Sequence, residues 1–311
     1  MPRSALNLAL LLATTLLISA CSKQSIYDSA IGWERSSAGL ETAEVSIGEL
    51  DIAYLRSKEA VEGDTLVLIH GFGANKDNWT RLAKEFKGEF NVYAIDLPGH
   101  GDSSKPLDIG YRFEDQVNYL NQILAELGVR QFHMMGNSMG GAITALYAAT
   151  HPEQIQTAVL FDPAGIFEYE SELVDRVMDG DNPLIPRKKG DFDKLLDFAL
   201  EKRPFVPWPI FDVMEEKAIA NQEVNQVIFA AIRDTGFEPD FRNAITHIEA
   251  PVLVIWGKLD RVIDYRNADV FVEAIPNARK VLLDDIGHAP MVETPAESAQ
   301  LFRDFLAESV K

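Results

Sequence analysis

Cysteine is almost absent: Cys21 is the single one among 311 residues. An intramolecular disulfide is therefore impossible, and so is a zinc site built from cysteines. The six histidines lack ligand-like spacing, so a metal site is not expected. Positive charge is also scarce, with 29 Lys and Arg against 48 Asp and Glu and a formal net charge of −19. Such a chain repels phosphate backbones, which excludes nucleic acid as a partner. No internal repeat or low-complexity tract occurs, and no apolar run is long enough for a comfortable membrane span. What is present is ordinary for a globular protein, 47% hydrophobic and 25% charged residues. The length suits one large α/β domain with an insertion, or two small domains.

The first apolar run, residues 6–20, follows Met1-Pro2-Arg3 and suits the hydrophobic region of a signal peptide. It ends in Leu17-Ile18-Ser19-Ala20-Cys21, which resembles a bacterial lipobox. The resemblance implies a signal peptide over residues 1–20 and acylation of Cys21, which becomes the mature N-terminus. It also implies a bacterial cell-envelope location. Ser22 at the next position favours the outer membrane, and without acylation the protein would be secreted. Several acyl chains anchor durably where one is marginal. The polar residues 22–40 read as a tether, giving a lipidated tether over 21–42 and a folded domain from Ala43.

Residues 44–47 and 51–55 alternate polar and apolar positions, as half-exposed antiparallel strands do. Six short apolar runs follow, at 65–69, 91–95, 132–135, 157–161, 252–256 and 280–283. Runs of that kind suit central parallel strands covered on both faces. Helical patterns separate them, at 111–127 (closed by Gly128), at 268–275, and from Thr294-Pro295-Ala296-Glu297, a capping box with proline at the first helical position. Strands alternating with helices imply a doubly wound, mostly parallel sheet of about eight strands. Between Phe161 and Pro251 that rhythm stops, leaving helix-like segments at 170–178, 191–202 and 212–233. The reading is an α/β core of 43–162 and 248–311, interrupted by a helical cap over 163–247.

The chemistry centres on Gly136-Asn137-Ser138-Met139-Gly140 between a buried strand and an Ala-rich helix. Gly-x-Ser-x-Gly at a strand-to-helix turn is a nucleophile elbow, in which the serine takes a strained backbone and its hydroxyl is pushed into the open. An elbow serine needs a base, an orienting acid and an oxyanion hole. In a chain order of serine, acid and histidine, the base is His288, just past the last strand. The acid is Asp260, just past the preceding strand, with Asp162 after another strand as its rival. Oxyanion donors are expected from the backbone N–H of Phe72, in His70-Gly71-Phe72-Gly73, and of Met139. His70 reads as a residue that fixes its loop and His100 as part of a rim turn. His133, His151 and His247 read as structural.

Taken together, the elbow, His70-Gly71-Phe72-Gly73, Asp96-Leu97-Pro98-Gly99-His100-Gly101, Trp256-Gly257-x-x-Asp260 and Gly287-His288 resemble the α/β-hydrolase superfamily. The likeness extends from about Ala43 to Lys311. Within it, Gly136–Gly141 and Asp162-Pro163-Ala164-Gly165 resemble bacterial lipases and monoacylglycerol lipases. The resemblance implies ester hydrolysis through an acyl-enzyme, without a cofactor, on a lipid or small ester held near the membrane. A serine nucleophile argues against the dehalogenase and epoxide-hydrolase branches. A carbon–carbon bond hydrolase of the meta-cleavage type is the alternative, and a non-enzymatic binding protein on the same fold is a third reading. Phe167, Tyr169, Phe205, Val206, Trp208, Phe211 and Met214 are expected either to line an acyl channel or to form the cap's own core.

Overall fold

The computed structural model describes residues 23–236 and 239–309. The leader and Cys21 lie outside the described residues. In chain order, α1 (23–37) precedes a hairpin of β1 (Leu40–Ile47) and β2 (Leu50–Ser57). The wound region follows as β3 (Thr65–Ile69), α2 (Thr80–Glu85), β4 (Asn91–Ile95), α3 (Phe113–Glu126), β5 (Phe132–Asn137), α4 (Met139–Thr150) and β6 (Ile155–Phe161). Then come α5 (Glu172–Met178), α6 (Asp191–Ala199), α7 (Ile210–Ala220), α8 (Gln222–Gly236) and α9 (Pro239–Ile245). The chain returns to the sheet through β7 (Val252–Gly257), α10 (Asn267–Ala274) and β8 (Ala278–Leu283), and closes with α11 (Pro290–Glu293) and α12 (Pro295–Ser309).

One eight-stranded sheet results, in the order β1-β2-β4-β3-β5-β6-β7-β8. Its β1–β2 and β2–β4 pairs are antiparallel and the remainder parallel. The two-residue period of a strand explains why the central runs are apolar throughout. In β3, Val67 and Ile69 point into the layer that holds α3, α4 and α10, while Leu66 and Leu68 point into the layer of α2 and α12. All four are fully buried. Burial of each such side chain is worth about 1.5–3 kcal/mol.

The doubly wound α/β-hydrolase fold with an inserted helical region is thus observed, with three differences in extent. Residues 23–37 form a helix docked on the body, not a loose tether. The reason lies in remote partners: Arg35 makes a two-pronged bond to Asp77 at 2.6 and 2.7 Å, Glu34 meets Arg81 and Lys23 meets Asp212. The segment expected as one helix over 212–233 is two, since α7 is capped at Asn221 and α8 starts beside it. Finally, α9 belongs to the core layer, because Phe241 is buried there against the rings of Phe113 and Phe271. The helical insertion proper is therefore α5 to α8, narrower than 163–247.

Candidate active site

Parallel strands in register bring their carboxyl ends to one edge of the sheet. Ile69 pairs with Gly136, Asn137 with Phe161, Phe161 with Ile255, and Gly257 with Leu283. The turns that follow β3, β5, β6, β7 and β8 therefore meet. Ser138 stands in the second of these turns at φ 56 and ψ −119, a conformation that costs a non-glycine residue about 1–3 kcal/mol. The surroundings hold it there. Its N–H donates to Phe161 O at 3.0 Å, and its carbonyl accepts from Ala142 and Ala164 N–H. A Cβ on Gly136 would lie 2.1 Å from Gly140 O, and one on Gly140 would lie 2.2 Å from Ile69 O. Glycine is required at both positions by this close approach. Ser138 is half-buried between buried Asn137 and Met139, and its hydroxyl makes no hydrogen bond among the described residues.

Asp260 and His288 converge on the same edge. His288 Nδ1 is 2.8 Å from Asp260 Oδ2. The carboxylate is surrounded by further donors, since Oδ2 also accepts from Trp256 Nε1 and Oδ1 accepts from Val262 and Ile263 N–H. With the Nδ1 proton drawn to Asp260, Nε2 is the free ring nitrogen. The backbone of His288 is pinned on both sides. Its N–H donates to Ala199 O at 2.8 Å, and its carbonyl accepts from Asn137 Nδ2 at 2.9 Å. Asn137, the residue before the serine, thus ties the elbow to the histidine loop across 151 positions of sequence.

Asp162 lies in the same cluster, with ligating atoms of Asp162, Asp260 and His288 all within 4.8 Å of one another. The histidine's partner is nevertheless Asp260. Asp162 is fully buried at φ 45, its Oδ1 accepts from Gly257 N–H at 2.9 Å, and its Oδ2 has no partner. Burial, reinforced by the neighbouring Asp260 charge, pushes its pKa well above the usual carboxylate range. Three residues of this kind also suit a metal ion by type. Here the Asp260 oxygens already face N–H donors, so the cluster is a hydrogen-bonded acid–base pair in its chemistry.

On the other side of Ser138, the N–H groups of Phe72 and Met139 have no acceptor among the described residues. Met139 opens α4, whose N-terminus adds partial positive charge. His70 fixes the Phe72 loop: Leu97 N–H donates to its Nε2 at 3.1 Å, and its Nδ1 pairs with Gly71 O at 2.8 Å. Burial lowers its pKa, so the ring is neutral, with the proton on Nδ1. The His100 ring leans on it at 4.8 Å and is held well below the ordinary histidine range by burial. A buried ion pair completes the support. Lys76 Nζ bonds Asp96 at 2.7 Å and Asp102 at 2.6 Å, and Lys76 N–H donates to Asp96 Oδ1. In the sequence Lys76 sits in Asn75-Lys76-Asp77-Asn78, which carries no signal of burial.

A family model for the alpha/beta hydrolase fold matches residues 64–295, most of the chain and every residue of this cluster. The chain belongs to the α/β-hydrolase fold family. Its relatives include "Lipase 3" of Moraxella sp. (strain TA144), 35% identical over 280 residues that span 88% of this chain and 87% of that one. "Monoacylglycerol lipase abhd6-B" of Xenopus laevis is 30% identical, spanning 88% and 84%. Among solved structures, a membrane phospholipase A described as a bacterial virulence factor is 40% identical, with a TM-score of 0.92 and full coverage of both chains. The protein is a hydrolase related to lipases.

In this α/β hydrolase the insertion roofs the strand edge. The α8 residue Phe229 meets Phe72 edge-on, with ring centres 5.5 Å apart, and Asn225 approaches Gly73. The end of α6 supplies Ala199 O to His288. The aromatic residues expected in an acyl channel or the cap core divide differently. Phe211 packs on Phe192, and Tyr169 lies under Arg266. Phe205 and Trp208 do neither, being 85% and 71% exposed.

Proposed function

We propose that this hydrolase is a serine carboxylic ester hydrolase that cleaves acyl glycerols or related lipid esters through an acyl-enzyme. One observation carries the reading: a 2.8 Å bond between His288 Nδ1 and Asp260 at the same strand edge as a strained, unbonded Ser138. In the forward step, Ser138 Oγ attacks the ester carbonyl while His288 Nε2 takes its proton. Asp260 stabilises the imidazolium. The oxyanion is held by Phe72 and Met139 N–H, each donor worth about 3 kcal/mol in the transition state. Collapse expels the alcohol, which receives the proton from His288. Water then repeats the sequence on the acyl-enzyme. The serine–histidine bond forms as substrate enters, as is common in substrate-free sites.

Kinship with lipases, a monoacylglycerol lipase and a phospholipase A supports a lipid ester as substrate. The lipobox-like sequence at Cys21 supports acylation there and retention in the cell envelope, at the outer membrane. The carbon–carbon hydrolase alternative calls for cationic cap residues around a dicarboxylated substrate. Arg187, Lys188 and Lys189 are instead exposed, which weighs against it.

The test is a fluorophosphonate probe with p-nitrophenyl esters of rising chain length, on wild type and Ser138→Ala. Labelling at Ser138 and ester turnover, both abolished in the variant, are expected. Labelling without turnover would favour carbon–carbon cleavage, and no labelling a binding protein. Acylation is read separately, by incorporation of labelled palmitate that Cys21→Ser abolishes.

A further inference from the structure

His288 is held by more than its bond to Asp260. Of the three consecutive N–H groups at 287–289, that of His288 donates to Ala199 O at 2.8 Å. Those of Gly287 and Ala289 both donate to Glu293 Oε1, at 3.1 and 3.4 Å. Glu293 is half-buried and closes α11. Its Oε2 accepts from Glu201 and Lys202 N–H, at 2.9 and 2.7 Å, just past the end of α6. One carboxylate thus joins the histidine loop to the exit of an inserted helix. The contact dictates residue 287. A Cβ there would lie 2.7 Å from Ala199 O and 3.1 Å from both Glu201 N and Glu293 Oε1, so only glycine lets the loop lie this close.

The acid's loop is fastened to the same place. Asp260 and His288 follow different strands, β7 and β8, so their 2.8 Å bond depends on how the two loops sit against each other. Arg261, the residue after Asp260, reaches the last turn of α6. Its Nε donates to Phe198 O at 3.0 Å, its Nη2 donates to Asp197 O at 2.7 Å, and its Nη1 pairs with Glu201. A guanidinium on the last carbonyls of a helix satisfies groups that the helix itself leaves open, and it complements the negative end of the dipole. The end of α6 is therefore a common anchor, reached by Arg261 from the acid's side and by Glu293 from the base's.

We propose that Glu293 is a positioning residue for the hydrolysis. Its carboxylate clamps the histidine loop to the end of α6, which Arg261 ties to the acid's loop, and so keeps His288 Nδ1 on Asp260 and Nε2 ready for Ser138. A carboxylate suits this task because both of its oxygens only accept, and four N–H donors converge on them. A glutamine would set an NH2 group against some of those donors and would lose the charge that tightens the remaining bonds. The insertion then does more than roof the strand edge, since one of its helices fixes the acid–base pair from behind. The inference rests on the reading of Ser138, His288 and Asp260 as the reacting groups.

The test compares Glu293→Gln, Arg261→Lys and Arg303→Ala with wild type. Arg303 bonds Glu85 O and the Glu89 carboxylate, before the amino end of β4 and away from the strand edge that carries Ser138. Its loss shows what instability alone does. On a soluble p-nitrophenyl ester, Glu293→Gln is expected to lower kcat about tenfold, with KM within about twofold of wild type. Arg261→Lys, which keeps the charge and loses the fork, should lower kcat severalfold, and Arg303→Ala should leave both constants unchanged. The low-field proton resonance of His288 Nδ1–H, assigned by its absence from Asp260→Asn, is expected to weaken in Glu293→Gln and to persist in Arg303→Ala. The proposal is overturned if Glu293→Gln keeps the wild-type kcat or resonance, if KM rises in place of a fall in kcat, or if Arg303→Ala loses as much. It is also overturned if Arg261→Lys changes neither reading. Should Glu293→Gln not fold, Glu293→Asp carries the same comparison, since a shorter carboxylate cannot span both stretches of main chain. Should wild type hydrolyse no ester, the ester-hydrolase reading fails, while the resonance still reports whether Glu293 holds the pair.

Discussion

Asp162 and Asp260 have ligating oxygens within 4.8 Å of each other, and their neighbours differ. Asp260 is ringed by N–H donors from Trp256, Val262, Ile263 and His288. Asp162 has one donor and an unpartnered buried oxygen, which favour the protonated acid. Two outcomes follow at this scale. Asp260→Asn is expected to lower kcat on a p-nitrophenyl ester by about 10⁴-fold, and Asp162→Asn by less than about tenfold. The reverse ranking would transfer the orienting role to Asp162. The second outcome concerns stability. A carboxyl whose pKa is raised on folding binds its proton more tightly in the folded state. Its contribution is complete below the ordinary Asp pKa and is lost as pH rises through the raised value. Asp162→Asn removes that loss, so the melting temperature of the variant relative to wild type should climb steadily from pH 4 to pH 8. A pH-independent difference would show that Asp162 does not titrate differently in the two states.

At the scale of elements, what was legible in the sequence follows from how local the constraint is. The runs that became β3 to β7 are mostly apolar because both faces of the sheet are covered, while β8, at the sheet's edge, is half-buried. Such coverage leaves a mark no residue elsewhere in the chain can erase. The elbow is equally local: Gly136 and Gly140 are dictated by backbone atoms a few positions away or on the adjoining strand. The choice between Asp162 and Asp260 is different in kind, because both follow a strand and only their neighbours in space separate them. The same holds for α1. Its polar sequence resembles a tether, and only distant Asp77, Arg81 and Asp212 show why it is ordered. Asn137 carries a load that its place in the elbow motif does not reveal, the bond to His288 O. Asn137→Ala should leave His288 O without its side-chain donor and cost about 1–3 kcal/mol in urea unfolding. It should also lower kcat about tenfold as the imidazole loosens. Unchanged activity in a destabilised variant would mean that the histidine loop is positioned without Asn137.

Across the whole molecule, the insertion, the sheet edge and α1 are fastened by few, separable contacts. The Arg35–Asp77 pair holds the middle of the surface on which α1 lies, and neither side chain is more than 19% exposed. Arg35→Ala should cost about 1.5–3 kcal/mol and speed chymotryptic cleavage at Tyr27 and Trp33 severalfold. An unaltered cleavage rate would indicate that Lys23 and Tyr27 suffice to hold the helix.

The place of β7 and β8 in the strand order has a consequence for the protein while it is being made. The elements on the near side of Ser138, from β3 to β6, are synthesised by residue 161. His288 arrives only after β8. A nascent or truncated polypeptide therefore carries Ser138 without the histidine proposed as its proton acceptor. On the proposed mechanism, hydrolysis waits for completion of the far edge of the sheet.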